Sequence, residues 1–153
     1  MTEIALKVKD LSKHFIIRNN VFSKKKTIEA VKNVNFEVKS GESLGLIGES
    51  GSGKTTIANL LLKLIEPSKG IIELFGKDIT RLSEESMRLN RRDIQIIFQY
   101  THAVLDPKMT IEELLREPLV IHQVVAESQI DDEVNRLLEM VGLSKLESTK
   151  FPS

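Results

Sequence analysis

Eight residues, 48–55, match the pattern G-x-x-x-x-G-K-[ST], in which every fixed position has a role in holding phosphate. Gly48, Gly51 and Gly53 let the backbone adopt conformations that other residues disfavour, so that it can pass close to a phosphate group. The N–H groups of such a loop should point at the β-phosphate, and the helix that follows adds its positive end. The pattern predicts a loop that binds the phosphates of a nucleotide, with ATP as the expected ligand.

The side chains of this loop are expected to have separate roles. Lys54 should bridge the β- and γ-phosphates, Thr55 should offer its hydroxyl to magnesium, and Thr56 can reach the α-phosphate. Glu49 is unusual, because an acid repels phosphate, so its side chain is expected to point outward. The alternative is a Gly/Ser-rich turn at a helix start. The predicted ATP-binding residues of the loop are Gly48, Glu49, Ser50, Gly51, Ser52, Gly53, Lys54, Thr55 and Thr56, and Lys54 is also a predicted catalytic residue.

Two elements must position this loop, a strand before it and a helix after it. Residues 43–47 form a short apolar run that is typical of a strand buried on both faces. Apolar residues then recur at helical spacing from Ile57 to Leu64, which predicts a helix buried nearly all round and closed by Pro67 and Gly70. The sequence therefore supplies the strand–loop–helix context that the phosphate pattern requires.

Further strands and helices are predicted on either side of this unit. Alternation predicts half-buried strands at 4–8 and 34–38, joined by a solvated loop that ends in lysines 24–26. Short apolar runs predict strands at 71–75 and 93–98. Three helices are predicted. The first is short, is capped by Ser83 and runs through Arg91. The second begins at the capping box of Thr110 and Glu113 and is ended or bent at Pro118, and the third spans 130–141 with Gly142 at its end.

This order of elements predicts an α/β fold. We expect an incomplete P-loop NTPase core of RecA-like type, with an antiparallel β flank and the start of a helical subdomain. The whole chain, 1–153, is expected to be one truncated nucleotide-binding domain. The β flank and the core should occupy about residues 1–99, and the helical subdomain should occupy about residues 100–153.

Composition narrows the possible partners. The chain has 22 basic and 22 acidic residues, so its net charge of zero gives no electrostatic case for nucleic acid. Cysteine is absent, which excludes disulfides, thiolate metal sites and a cysteine nucleophile. No apolar stretch approaches the roughly 20 residues of a membrane-spanning helix, and no signal peptide is expected, so a membrane role must come through a partner. His14, His102 and His122 share no metal-ligand spacing.

Gln99 lies at the end of the predicted strand 93–98, where α/β proteins place residues that face a ligand. The side-chain amide of a glutamine there can coordinate magnesium and accept a hydrogen bond from a water molecule without adding charge. The alternative is a strand-end glutamine that meets solvent. The pattern alone leaves both interpretations open.

Two stretches, 41–56 and 96–99, resemble the phosphate loop and the Q-loop of the ATP-binding subunits of ABC transporters. The resemblance extends from Ile4 to Ser153. It implies that Gln99 is a catalytic residue that binds magnesium and the attacking water, and that its loop contacts a permease. Phe15 matches, by its position after the first strand, the family's aromatic residue that stacks on adenine. The alternative for Phe15 is a plain core phenylalanine.

Three further segments, 91–95, 103–111 and 116–119, resemble the ATP-binding subunits of peptide and nickel importers. The sequence departs from the one usual in these subunits at three places: Tyr100-Thr101 replaces Asp-Pro, Asp106 replaces Asn, and Lys108 replaces Arg. Both peptide and nickel therefore stay open as the transported substrate.

The resemblance implies the ATP-hydrolysing subunit of a membrane importer, held at the cytoplasmic face of the membrane by permease subunits. It would work as a homo- or heterodimer with a second ATP-binding subunit, and indirectly with an extracytoplasmic substrate-binding protein. The sequence has no run of four apolar residues followed by an acidic pair, so the family's Asp-Glu strand and its signature segment are expected after Ser153. The rival interpretations are a catalytically inert nucleotide-binding fragment and a non-transport P-loop protein such as a nucleotide kinase or a repair ATPase.

Overall fold

The computed structural model describes residues 3–17, 26–98 and 104–152. The chain forms two compact units, Met1–Ile94 and Gln95–Ser153, and each is described by itself. The elements in chain order are β1 (Ile4–Ile17), β2 (Lys26–Lys39), α1 (Lys54–Leu61), β3 (Lys69–Leu74), β4 (Lys77–Asp78), α2 (Glu84–Arg88), α3 (Ile111–Ile121), a 3₁₀ turn (Glu127–Gln129), α4 (Ile130–Met140) and α5 (Lys145–Ser148).

The first unit is built on a four-stranded antiparallel sheet with the strand order β2-β1-β3-β4. The strands predicted at 4–8 and 34–38 are both present and pair with each other. Val8 of β1 lies opposite Phe36 on one side and Ile72 on the other. The predicted antiparallel β flank is therefore confirmed.

Both strands of this flank are longer than predicted. β1 continues to Ile17, and β2 begins at Lys26, although these parts do not alternate between apolar and polar residues. Cross-strand pairing continues to the end, where Ile17 lies opposite Lys26. The predicted loop residues 18–25 lie outside the described residues.

A β-bulge interrupts the pairing of β1 with β2. Lys13 lies opposite Val31, but the next residue, His14, lies opposite Glu29, so Ala30 is an extra residue on β2. Bulges of this kind bend a strand locally and are frequent beside active sites. This one lies next to the phosphate loop, as described below.

The core of the first unit joins α1 to the sheet. Ile57 and Leu60 of α1 are buried, and Leu60 is fully inaccessible to solvent. Burying one such aliphatic side chain contributes about 1.5–3 kcal/mol, so this cluster fixes the helix that follows the loop. The buried members of the cluster are Val8, Leu11, Val31, Ile57, Leu60, Ile72, Leu74, Ile79 and Met87.

α1 ends earlier than the sequence predicted. Pro67 and Gly70 were expected to close the helix, but its last residue is Leu61. The cause is local, because Lys63 has a left-handed backbone with φ 51°. Fewer of its apolar residues are buried than predicted, since Leu64 is 55% exposed.

Two predicted strands, 43–47 and 93–98, are not strands in the structure. Their apolar side chains are largely exposed, with Ile47 at 94% and Ile97 at 91%. An apolar run becomes a buried strand only when neighbouring strands pair with it on both sides. None of the four strands in the described part of the chain pairs with either segment.

The second unit is helical, with a small core between α3 and α4. Its buried members are Leu119, Ile130, Val134 and Leu138. α4 spans 130–140 and is followed by Gly142 at φ 73°, which confirms the prediction for this helix. This part of the chain contains the helices that were predicted after residue 100.

The start of α3 confirms the predicted capping box. The Thr110 N–H donates to Glu113 Oε2 at 2.7 Å, and the Glu113 N–H donates to Thr110 Oγ1 at 3.3 Å. The prediction that Pro118 could end this helix is wrong, because α3 continues through it to Ile121. A proline removes one donor and crowds the carbonyl four residues earlier, but the turn that follows still forms, and the His122 N–H bonds the Pro118 carbonyl at 3.0 Å.

The shorter helix α2 begins as predicted at Ser83, whose hydroxyl accepts from the Ser86 N–H at 3.2 Å. It ends at Arg88 rather than at the predicted Arg91. Among the described residues, no helix has both the length and the apolar character needed to cross a membrane.

Candidate nucleotide-binding site

Gly53 fixes the geometry between the phosphate loop and α1. It has a left-handed backbone with φ 93° and is the N-cap residue of α1. A Cβ atom at this position would lie less than 3.0 Å from the carbonyl oxygen of Ala30, the bulged residue of β2. Real Cβ atoms essentially never approach so closely, and the obstacle is backbone, so glycine is required here for two independent reasons.

The other two glycines of the loop are less constrained. Gly51 has φ 82°, but a Cβ atom there would meet nothing within 4 Å. A Cβ atom on Gly48 would lie 2.8 Å from Ser52 Oγ, which belongs to a side chain that can rotate away. The strict demand for glycine therefore falls on Gly53.

The loop presents backbone donors that have no partner among the described residues. In the described part of the chain, no hydrogen bond is made by the N–H groups of Gly51, Gly53, Lys54, Thr55 or Thr56, whereas the Ile57 N–H bonds the Gly53 carbonyl at 2.9 Å. The first N–H groups of any α-helix lack an acceptor within the helix, and together they carry a partial positive charge. The first turn of α1 also contains no acidic residue. This arrangement can hold an anion.

Lys54 lies across the loop and is held there by the backbone. Its Nζ donates to the carbonyl oxygens of Gly48 at 2.7 Å and Glu49 at 2.6 Å. A third, weaker contact reaches Ser52 Oγ at 3.3 Å. Because an ammonium group has three donors, two anchor the side chain and the third can turn to a ligand.

An open pocket of about 460 Å³ lies at this loop. The hydroxyl of Thr55 makes no hydrogen bond in the described part of the chain, and Thr55 is exposed. Glu49 is also exposed, and the prediction for the direction of its side chain stays a prediction. The lining residues are Ala30, Ser50, Gly51, Gly53, Lys54, Thr55 and Thr56.

Phe15 lies near the end of β1 and is 39% exposed. It is outside the buried cluster that forms the core of this unit. Lys13 places its Nζ over the phenyl ring, 5.2 Å from the ring centroid. The ring is therefore accessible on the surface, and its predicted role toward adenine stays a prediction.

The remaining predicted site residue, Gln99, lies outside the described residues, as does His102. His14 pairs across the strands with Glu29 at 3.1 Å. Within residues 3–17, 26–98 and 104–152, no group of three or more histidine, cysteine or acidic side chains could hold a metal ion.

A profile of the ABC transporter family matches residues 31–153, which include the phosphate loop and α3 to α5. The chain belongs to the ABC transporter family. This confirms the resemblance predicted from 41–56 and 96–99, whereas the nucleotide-binding role of the individual loop residues stays a prediction.

Several curated ABC relatives are ATP-binding proteins of peptide transport. The oligopeptide transport ATP-binding protein AppF of Bacillus subtilis is 37% identical over 152 residues, covering 98% of this chain and 46% of AppF. OppF of Haemophilus influenzae, also named for oligopeptide transport, is 38% identical over 154 residues with the same coverage of each chain. The di/tripeptide protein DppF of Pseudomonas aeruginosa is 31% identical over 150 residues, again with 98% and 46% covered. The chain spans about half the length of these relatives.

Solved structures of ABC cassettes share the fold. A dimeric post-hydrolysis state of an ATP-binding cassette, bound to ADP and Pi, matches with a TM-score of 0.75 and 26% identity. The match covers 96% of this chain and 61% of that one. The predicted fold class, a partial α/β P-loop NTPase core with an antiparallel β flank and helices, is confirmed.

Sequence reasoning missed Ala30. Nothing in the residue type marks a small apolar residue in a strand as part of a phosphate site. Its contribution is a backbone carbonyl, positioned by a bulge that arises from the register of β1 with β2. A contact of this kind leaves no signal in a single sequence.

Proposed function

We propose that this chain is the nucleotide-binding part of the ATP-hydrolysing subunit of an importer for peptides. The observation that carries the proposal is the loop at 48–56, where the ammonium of Lys54 and N–H groups with no partner among the described residues surround one open pocket. The names of the relatives support peptide as the transported substrate over nickel.

Lys54 and the loop amides act on the phosphates of ATP. The two short bonds to the carbonyls of Gly48 and Glu49 hold the Lys54 ammonium in place before the nucleotide arrives. A phosphate oxygen replaces the weak contact with Ser52 Oγ and gains a charge-assisted hydrogen bond. Preorganised donors of this kind stabilise the charge that develops when water attacks the γ-phosphate.

Thr55, through its hydroxyl, and Gln99, through its amide, are each proposed as ligands of magnesium, which would neutralise charge on the phosphates of the nucleotide. The Thr55 hydroxyl fits this role because it is exposed and makes no hydrogen bond in the described part of the chain. Gln99 is proposed to orient the attacking water. Thr56 is proposed to contact the α-phosphate, and Phe15 is proposed to stack on the adenine.

The proposed partners follow from the same function. A second ATP-binding subunit would form the dimer, permease subunits would hold the protein at the cytoplasmic face of the membrane, and a substrate-binding protein would act outside. The dimeric state of the matched ATP-binding cassette supports the first of these partners.

A second candidate function is ATP binding without turnover by this chain alone. The observation that favours it is the absence from the sequence of an apolar run followed by an acidic pair, the pattern expected for the base that activates water. General-base assistance typically contributes about 10²–10⁴-fold, so a chain that lacks the base should release phosphate very slowly.

Lys54→Ala tests the binding site directly. Each lost charge-assisted bond is worth about 1.5–3 kcal/mol, so the Kd for Mg-ATP should rise at least about tenfold. Lys39→Ala is the matched control, since Lys39 is exposed at the end of β2 and its side chain makes no hydrogen bond in the described part of the chain. The measurement is a titration of a fluorescent ATP analogue into the purified chain.

The two candidates separate in a phosphate-release assay on the same samples. Magnesium-dependent release that is lost in Lys54→Ala supports hydrolysis by this chain, whereas tight binding without release supports the second candidate. Equal affinities of wild type and Lys54→Ala for Mg-ATP would refute the assignment of the site.

A further inference from the structure

We infer that Lys13 is a positioning residue for Phe15 and thereby contributes to recognition of the nucleotide base. The inference rests on the proposed function, in which Phe15 stacks on adenine. Lys13 belongs to β1, two residues before Phe15, so both side chains leave the strand on the same side.

The Lys13 ammonium makes two contacts, one with the Phe15 ring and one with a backbone carbonyl. Its Nζ lies over the Phe15 ring, 5.2 Å from the centroid, which is within the range of a cation–π interaction. The same Nζ donates to the carbonyl oxygen of Glu66 at 2.6 Å. Glu66 lies in the connection from α1 to β3, so the ammonium links the ring to the segment that follows the phosphate-loop helix.

Phe15 needs such a support because it is not held by the core. It is 39% exposed and lies outside the buried cluster of the first unit. A cation over one face of the ring restricts its orientation. We infer that a base stacks on the face of the ring that Lys13 leaves uncovered.

The ring and the phosphate loop are close neighbours along β2. Phe15 lies opposite Ile28, and Ile28 is two residues before Ala30. Two residues of a strand span about 6.6 Å, and the Ala30 carbonyl is the backbone group that a Cβ on Gly53 would strike. A nucleotide with its phosphates on the loop therefore has an aromatic ring within reach of its base.

The backbone of this part of β1 is held independently of Lys13. The His14 N–H donates to Ser68 Oγ at 3.0 Å, and the Ser68 N–H donates to the Ser12 carbonyl at 2.8 Å. Removing the Lys13 side chain should therefore leave the strand in place. The effect of a substitution can then be read as an effect on the ring.

The experiment compares ATP with inorganic tripolyphosphate, which has the phosphates but no base, both with magnesium. Lys13→Ala should raise the Kd for ATP about two- to fivefold, the range expected for an exposed cation–π contact, and leave the Kd for tripolyphosphate unchanged. Lys13→Arg should restore ATP binding, because a guanidinium also binds over an aromatic face. Lys9→Ala is the control for loss of charge. Lys9 lies on β1, as Lys13 does, and its exposed side chain pairs with Glu73 of β3.

The same comparison in a Phe15→Ala background decides whether Lys13 acts through the ring. The effect of Lys13→Ala on ATP should vanish there, because the two residues form one coupled pair. An effect that persists without the ring, or an equal loss for ATP and tripolyphosphate, would overturn the inference. So would a Phe15→Ala chain that binds ATP like wild type. A wild-type chain that binds neither ligand instead refutes the proposed function.

Discussion

Replacing Gly53 with alanine probes the contact between the phosphate loop and β2. Two costs add at this position. A non-glycine residue in the left-handed region costs about 1–2 kcal/mol, and φ at Gly53 is 93°. The new Cβ would also overlap the Ala30 carbonyl, and forcing an extra methyl into a packed site typically costs about 1–3 kcal/mol.

Gly51→Ala is the matched control for this experiment. Gly51 also has a positive φ, 82°, but its Cβ would meet nothing within 4 Å, so only the first cost applies. The overlap with the Ala30 carbonyl is therefore the only cost that differs between Gly53→Ala and Gly51→Ala. Because the Gly53 variant must move either the loop or the bulge, the additional 1–3 kcal/mol should appear as a Kd for Mg-ATP that is about 5- to 150-fold higher than that of Gly51→Ala.

The assay pairs a nucleotide titration with urea unfolding of each variant. Gly53→Ala should lose more stability and more affinity than Gly51→Ala, with both chains still folded by circular dichroism. If the two variants bind nucleotide equally and unfold at the same urea concentration, the close approach of Ala30 to the loop does not constrain the site, and the reasoning is refuted.

Two further predictions concern the helices. Leu60→Ala should lower the free energy of unfolding by about 2–5 kcal/mol, because Leu60 is fully buried. Leu64→Ala, at a position that is 55% exposed, should change it little. Urea unfolding measures both variants, and similar losses would contradict the position of Leu60 in the core. The hydrogen bond from the Thr110 N–H, and to a smaller extent the one from the Thr110 hydroxyl, hold the pKa of Glu113 below its ordinary value of 4.5. A carboxyl with a lowered pKa stabilises the fold above pH 4.5 and loses this contribution as the pH falls through its folded pKa. The stability advantage of wild type over Glu113→Gln should therefore shrink between pH 7 and pH 3, and a constant difference would rule out the capping interaction.

The parts of the fold that the sequence predicted well are those specified by local patterns. The helix that follows the loop at 48–55 and the capping box at Thr110 each depend on residue types at fixed spacings. The alternation at 4–8 and 34–38 likewise identified the paired strands of the β flank.

The failures concern structure that depends on distant neighbours. The apolar runs 43–47 and 93–98 have the composition of buried strands, but no described strand pairs with them. The bulge at Ala30 comes from a mismatch in pairing between β1 and β2, which no single-strand pattern encodes. The early end of α1 depends on one left-handed residue, Lys63, whose type gives no warning of it.

The bulge at Ala30 has a consequence beyond the phosphate loop. β2 is an outer strand of the sheet that the described residues form, and it is 14 residues long. A long regular outer strand invites another chain to pair with it and aggregate. The extra residue, near the start of β2, breaks the regular spacing of its hydrogen-bonding groups, and Lys26, Lys32 and Lys39 add exposed positive charge along the strand. The irregularity that brings a carbonyl up to Gly53 therefore also protects this side of the sheet from self-association.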